Sequence, residues 1–357
     1  MAESKMMDVN TISIDLWAIE FLPRTYDETG AKGTEPRKRS LNLVVQSSLS
    51  KWHVKVTFHG SIQNGQKSVY SKRPKRRKDL QDLCDCIDFQ QIRLLDDIIR
   101  YPSYSYSSEI PTMDLSTIGE KEELEGGVHK LRILGDPEIY IYKAVERPFY
   151  VPPDSEVLER ELSNLSTLRR NTAGIVQLIA AVVSSNPYQT NQYEKDGGSV
   201  VLRGILLEHH PNGTLEDALK SPQLQPARRW CRWALQITAA LAHLHQRGLA
   251  HMDLKPSNVV ISADFDAVLI DVSGIGGVTR QWLAPEMRNG PDPLSRSIDD
   301  RKQNDIWALG EMISAMADVC CEDDEKRLLK SVAQSATRPP PRLPLEDAIK
   351  ALSGNHP

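Results

Sequence analysis

Hydrophobic and polar positions follow two different periods along the chain, and the change of period divides it. Between residues 11 and 70 the period is two. Trp52, Val54, Val56 and Phe58 alternate with His53, Lys55, Thr57 and His59, and Ile12, Ile14 and Leu16 alternate likewise, so half-buried strands are predicted there. Gly30, Gly33 and Pro36 mark a loop between strands. Leu80, Leu83, Ile87, Leu94, Leu95 and Ile98 then form an apolar stripe that predicts a helix over 78–100, and the Tyr/Ser-rich stretch 101–112 reads as a linker. Further on, strands are predicted over 115–118, 128–134 and 138–145, a helix over 154–169, and strands over 174–183 and 200–208 with a polar loop, 184–198, between them. After Gly213 the pattern is mostly helical, with Trp230, Ala234, Ile237, Leu241 and Leu244 on one face of a helix over 226–247. A β-rich half followed by a helical half is the layout of an α+β, two-lobed protein.

Composition narrows the class. The 357 residues are 40% apolar and 26% charged, enough for real cores and against a disordered or fibrous chain. The net charge of −4 excludes a chain-wide basic nucleic-acid binder. The sum hides an asymmetry: residues 1–112 carry 17 Lys/Arg against 14 Asp/Glu, and the remainder carries 27 against 34. A boundary near 112 follows. The first ten residues lack the apolar core of a secretory signal, and the longest apolar stretch, 174–183, is too short to span a bilayer. Five cysteines without zinc-finger spacing read as reduced thiols, hence a cytoplasmic or nuclear setting. Lys72 to Lys78 holds six basic residues in seven, which reads as a nuclear-import signal, a polyanion patch or a plain solvated loop.

The candidate chemistry starts at Leu249–Ile261, where His251, Asp253, Lys255 and Asn258 are spaced H-x-D-x-K-x-x-N. A carboxylate can align an acceptor hydroxyl, and an amide five residues on can reach a metal on the phosphates. Taken singly, such residues are turn formers or helix caps. Their company carries the assignment: Tyr140-Ile-Tyr-Lys143 upstream, Glu161 with Leu165 and Leu168 at +4 and +7, and Gly204 to Glu208. Downstream stand Asp271-Val-Ser, Thr279, Ala284-Pro-Glu286, Asp305-Ile-Trp-Ala-Leu-Gly and Arg338. In this order, over about 113–355, the motifs resemble those of the eukaryotic protein kinases, and the form Asp253-Leu-Lys-Pro resembles the Ser/Thr-directed members.

The resemblance implies a protein-kinase-like fold with an N-terminal extension, 1–112, of no assigned function. The small lobe would be about 113–208 and the large lobe about 213–355. It implies ATP and Mg²⁺ as cofactors, a protein substrate, and no nucleic-acid or membrane partner; the oligomeric state is left open. Asp253 would be the catalytic carboxylate, and Lys255 would neutralise charge on the phosphoryl group. Lys143, held by Glu161 (Glu159 as fallback), would pair the phosphates. Gly119, Gly126, Gly127 and Val128 would cover them. Leu207 would be the gatekeeper, with the Glu208 carbonyl and the His210 backbone on adenine. Asn258 and Asp271 would hold the metal, Asp305 would brace the catalytic loop, Thr279 would bond Asp253, and Arg338 would pair with Glu286.

The chain also departs from the family pattern. The glycine-rich stretch is longer and carries Glu120, Glu122, Glu123 and Glu125 against Lys121, so weaker nucleotide binding or a displaced lid is expected. Met252 stands where the family usually has Arg, and Glu286 follows Asp271 by only 15 positions, so activity is not expected to need phosphorylation of that segment. Little chain remains between the Asp305 helix and the next, where the family places a docking helix. A nucleotide-binding scaffold without activity and a small-molecule kinase are therefore the alternatives.

Overall fold

The computed structural model describes residues 19–29, 38–47, 50–59, 89–94, 99–107, 109–146, 150–168, 173–187, 200–222 and 229–354. The basic run 72–78, the pattern at Ile12–Leu16 and the Gly30–Pro36 loop lie outside them. The chain divides into two compact units, Met1–Arg100 with Ser185–Val200, and Tyr101–Ser184 with Val201–Pro357.

The first unit holds an antiparallel sheet in the order β1 (Ile19–Thr29), β2 (Lys38–Ser47), β3 (Ser50–His59) and β4 (Phe89–Leu94). Leu43, Val44 and Val54 are buried in it, and the alternation around Val54 forms the expected strand. The predicted helix over 78–100 is corrected at 89–94, which is strand β4, with Ile92 opposite Val56 and Leu94 opposite Val54. Ile92 and Leu94 alternate with Gln91 and Arg93. This period-two pattern is masked at the sequence level by the neighbouring Leu95 and Ile98, and pairing with β3 selects it.

The second unit carries the α+β architecture. Its six-stranded sheet runs β5–β9–β10–β8–β7–β6, with β5 (Thr112–Asp114), β6 (Ile118–Glu125), β7 (Val128–Ile133), β8 (Ile139–Ala144), β9 (Leu178–Ser185) and β10 (Val200–Glu208). The strand predicted at 115–118 is instead a one-turn helix, Leu115–Thr117, started by the Asp114 side chain accepting from the Ser116 N–H. Both ends of the stretch 101–112, read as a linker, bond this sheet. Ser103 bridges Val201, β5 runs parallel to β9, and the buried Tyr101 donates to Glu146 at 2.7 Å beneath the Arg203 guanidinium. Gly204 is opposite Ala144 in the β10–β8 ladder, and any Cβ there would collide with the neighbouring Tyr142 ring and the Lys143 carbonyl, so that ring lies over the glycine.

The helical lobe follows: α1 (Pro153–Leu168), which flanks the sheet, then α2 (Leu215–Lys220), α3 (Arg229–Gln246), α4 (Pro285–Arg288), α5 (Ile298–Val319), α6 (Asp323–Ala336) and α7 (Leu345–Ser353). A short hairpin of β11 (Val259–Ile261) and β12 (Ala267–Leu269) precedes α4. The core is built by α3 and α5. Trp233, Ile237, Leu241 and Leu244 from one, and Leu309, Met312, Ile313 and Met316 from the other, are all at most 1% exposed. Burial of this kind contributes on the order of 2 kcal/mol per large side chain. The connection from α5 to α6 is three residues, Cys320 to Glu322. No helix among the described residues is long and apolar enough to cross a membrane.

Candidate functional site

The site lies where the small-lobe sheet meets the β11–β12 hairpin and the loop after α3. Strand β8 turns Lys143 toward α1, where alternate residues of one helix face, Glu161, Leu165 and Leu168, are buried. Lys143 Nζ lies 2.7 Å from Glu161 Oε1 and also bonds Asp271 Oδ1. Glu159 is exposed and takes no part. Burial alone would lower the Lys143 pKa, but the Asp271 and Glu161 carboxylates outweigh it and hold the ammonium above its usual range. Loss of water on its packed side pushes the Asp271 carboxyl up; Lys143 overcomes this, and Asp271 stays below the ordinary carboxylate range. Glu161 is pushed up by burial, which Lys143 offsets only in part.

The loop after α3 centres on Asp253. Its Oδ1 accepts from the Thr279 N–H at 3.1 Å and the Thr279 hydroxyl at 2.7 Å. Its Oδ2 accepts from Lys255 Nζ at 2.7 Å and Asn258 Nδ2 at 3.2 Å. Lys255 also donates to Thr279 Oγ1 at 3.0 Å, so Asp253, Lys255, Asn258 and Thr279 form one network. From the buried core of α5, Asp305 reaches up to the backbone of this loop. Its carboxylate accepts from the N–H of His251 at 2.7 Å and of Met252 at 2.8 Å, and lies 3.0 Å from His245 Nε2. Met252 is buried, with φ of 68°.

Asp271 and Asn258 fit a divalent cation. Both offer hard oxygen donors, the kind Mg²⁺ takes. The Asn258 amide nitrogen is committed to Asp253, which leaves its carbonyl oxygen for a cation. Asp271 spends Oδ1 on Lys143 while its side chain remains 42% exposed.

The lid differs from the expected long loop. Residues Ile118–Glu125 are strand throughout, and the turn is only Gly126-Gly127. Their φ values of 42° and 87° are both left-handed, as a two-residue hairpin turn of this type requires. Two bulges in the β6–β7 register absorb the extra residues. Gly119 lies at the far end of β6, packed on the Arg132 carbonyl at 3.0 Å from where a Cβ would stand. Val128 is opposite Lys143 and shares its face. By the same register Glu122, opposite Lys130, and Glu125, opposite Val128, are on the Lys143 face. Glu123 and Lys121 are on the other face, where Lys121 sits 4.9 Å over the Tyr142 ring.

At the strand leading out of the sheet Leu207 is 2% exposed. Glu208 is tied down by its side chain: Oε1 accepts from the Gln177 N–H at 2.9 Å and lies 3.1 Å from His210 Nε2. The partner of Glu286 is a correction. Arg338 is exposed, and the buried Arg342 lies 2.7 Å from Glu286 instead. The run Arg-Pro-Pro-Pro-Arg offers two arginines. The second is drawn inward because its N–H bonds Gln303 of α5 at 3.0 Å. Residues missed at the sequence level are Asn164, Arg301 and Arg342. Asn164 did leave a trace, as a polar residue on the buried face of α1, three after Glu161.

Compared with known proteins, residues 122–338 match the protein kinase domain family. Among curated relatives, mitogen-activated protein kinase kinase kinase 17 of Arabidopsis thaliana is 30% identical over 165 residues, 44% of this chain and 40% of that protein. A probable cAMP-dependent protein kinase catalytic subunit of Encephalitozoon cuniculi is 31% identical over 142 residues, 36% of this chain and 41% of that protein. The mitogen-activated protein kinase kinase SIPKK of Nicotiana tabacum is 32% identical over 142 residues, 36% of this chain and 37% of that protein. The chain thus spans less than half the length of these relatives.

Proposed function

The chain belongs to the protein kinase family, and from that premise we propose that it transfers the γ-phosphoryl group of ATP, with Mg²⁺, to serine and threonine hydroxyls of proteins. The observation that carries this reading is the pair of connected networks, Lys143–Glu161–Asp271 and Asp253–Lys255–Asn258–Thr279. Phosphoryl transfer asks little covalent chemistry of a protein and much positioning of charge. Lys143, fixed by Glu161, holds the α- and β-phosphates. Asp271 and Asn258 would hold Mg²⁺, which when bound neutralises charge on the phosphates. Asp253 orients the acceptor hydroxyl and takes its proton. Lys255, bound to the same carboxylate, meets the charge that builds on the phosphoryl oxygens. Thr279 holds Asp253 from the other side, an arrangement that suits a Ser/Thr acceptor.

The test is transfer from γ-labelled ATP to peptides carrying Ser, Thr or Tyr, with the purified full chain. Label is expected on Ser and Thr peptides and is expected to vanish with a Mg²⁺ chelator. Nucleotide binding without any transfer would favour a scaffold, the reading to which the acidic β6 strand lends itself. Transfer to metabolites but not to peptides would favour a small-molecule kinase, for which the three-residue α5–α6 connection speaks.

The two faces of β6 make the lid testable. Glu122→Gln and Glu125→Gln remove negative charge from the phosphate side and are expected to tighten ATP binding by roughly three- to tenfold together. Glu123→Gln, on the opposite face, is expected to change it little. Calorimetric titration with ATP checks both, and equal effects from all three would refute the face assignment.

A further inference from the structure

Two side chains outside the motifs hold the segment that carries Asp271. Asn164, buried on α1, donates through Nδ2 to the Val272 carbonyl at 2.7 Å and the Ser273 carbonyl at 3.2 Å. Arg301, near the start of α5, donates through Nη2 to the Gly274 carbonyl at 2.6 Å. Three successive carbonyls after Asp271 are thereby fixed, two from the small-lobe helix and one from the large lobe. The turn is closed locally by the Ser273 hydroxyl, which accepts from the N–H groups of Ile275 at 3.3 Å and Gly276 at 2.9 Å. Asp271 itself has φ of 62°, a conformation a non-glycine residue keeps only where its surroundings hold it.

We propose that Asn164 and Arg301 are positioning residues: they aim the Asp271 carboxylate for metal binding and tie that aim to the placement of α1 and α5. This rests on the metal role given to Asp271 above. Asn164 stands one turn after Glu161, so the helix that supplies the Lys143 partner also fixes the backbone of the other Lys143 partner. Mg²⁺ tolerates little departure from octahedral geometry, so a carboxylate left loose by the loss of either donor binds it less well. Both donors are spent on the backbone carbonyls of Val272 to Gly274, the three residues that follow Asp271.

The experiment measures phosphoryl transfer, and separately ATP binding by calorimetry, as functions of Mg²⁺ concentration. It uses the full chain and the variants Asn164→Leu, Arg301→Met and Arg301→Lys, with thermal unfolding alongside. Asn164→Leu and Arg301→Met are expected to raise the Mg²⁺ needed for half-maximal activity about tenfold, the scale of one good hydrogen bond. The rate should be largely regained at excess Mg²⁺. Arg301→Lys, which keeps a donor, should stay close to wild type. An unchanged Mg²⁺ curve overturns the proposal, even if the melting temperature falls, because that is the signature of a merely structural role. A wild-type chain that binds ATP in a Mg²⁺-dependent way without transferring phosphate overturns the proposed activity, and the binding curves then decide the clamp. Binding with no Mg²⁺ dependence overturns both.

Discussion

If the chain is the proposed kinase, Asp253→Asn is expected to lower phosphoryl transfer by roughly 10²–10⁴-fold, the range lost with a positioned general base, while ATP affinity is expected to stay near wild type. The substitution keeps the shape of the side chain and removes only its charge and one acceptor. Each carboxylate oxygen of Asp253 faces two donors, from Thr279 on one side and from Lys255 and Asn258 on the other. Whichever way the new amide turns, its NH₂ meets donors instead of accepting from them. The orientation of the acceptor hydroxyl is lost along with the proton acceptor. The Asp253 carboxylate bonds Thr279, Lys255 and Asn258 while Lys143 bonds Glu161 and Asp271, so nucleotide binding through Lys143 is expected to persist. A single-turnover assay beside an ATP titration separates the two effects, and transfer within tenfold of wild type would exclude Asp253 from the chemistry.

Asp305→Ala should be the most destabilising single change in the site. The carboxylate is fully buried, and it receives two backbone N–H groups and faces His245. Removing it leaves two buried donors without an acceptor and a cavity beside the α5 core. An unsatisfied buried donor costs about 1–3 kcal/mol, so the total is about 3–5 kcal/mol. Denaturant unfolding monitored by tryptophan fluorescence checks this. Because the same N–H groups set the path of the loop before Asp253, transfer should fall even in the fraction that remains folded. A variant that unfolds within 1 kcal/mol of wild type (about fivefold in the folding equilibrium) would show that the loop holds its shape unaided.

Strands β7 to β10, the long helices and the spacing of the candidate site residues were legible in the sequence because each sits where local pattern and chemistry agree. Lys143 ends an apolar strand, and Glu161, Leu165 and Leu168 fall on one helical face, so spacing alone placed them. What escaped depended on partners distant in the chain. Strand β4 was hidden because Leu94 and Leu95 satisfy a helical stripe and an alternating one equally, and only the neighbouring strand decides between them. The lid read as a long loop because glutamate is a poor strand former. Pairing with β7 and a Gly-Gly turn overrode that preference. Arg342 was passed over for Arg338 because three prolines set the direction of the chain between them, which spacing does not encode. Asn164 and Arg301 bond backbone carbonyls, which have no residue identity to pair with in a sequence.

The β6–β7 hairpin has a kinetic consequence. Its strands stay paired up to Glu125 and Val128, so the backbone groups near the turn are engaged with each other, and the turn has only two residues with which to bend. Over the proposed nucleotide site, a cover so short and so paired is expected to add no slow closing or opening step of its own. Occupancy by nucleotide is then expected to follow the surrounding concentration without delay, with retention in the proposed site resting on the Lys143 charge and the metal rather than on confinement.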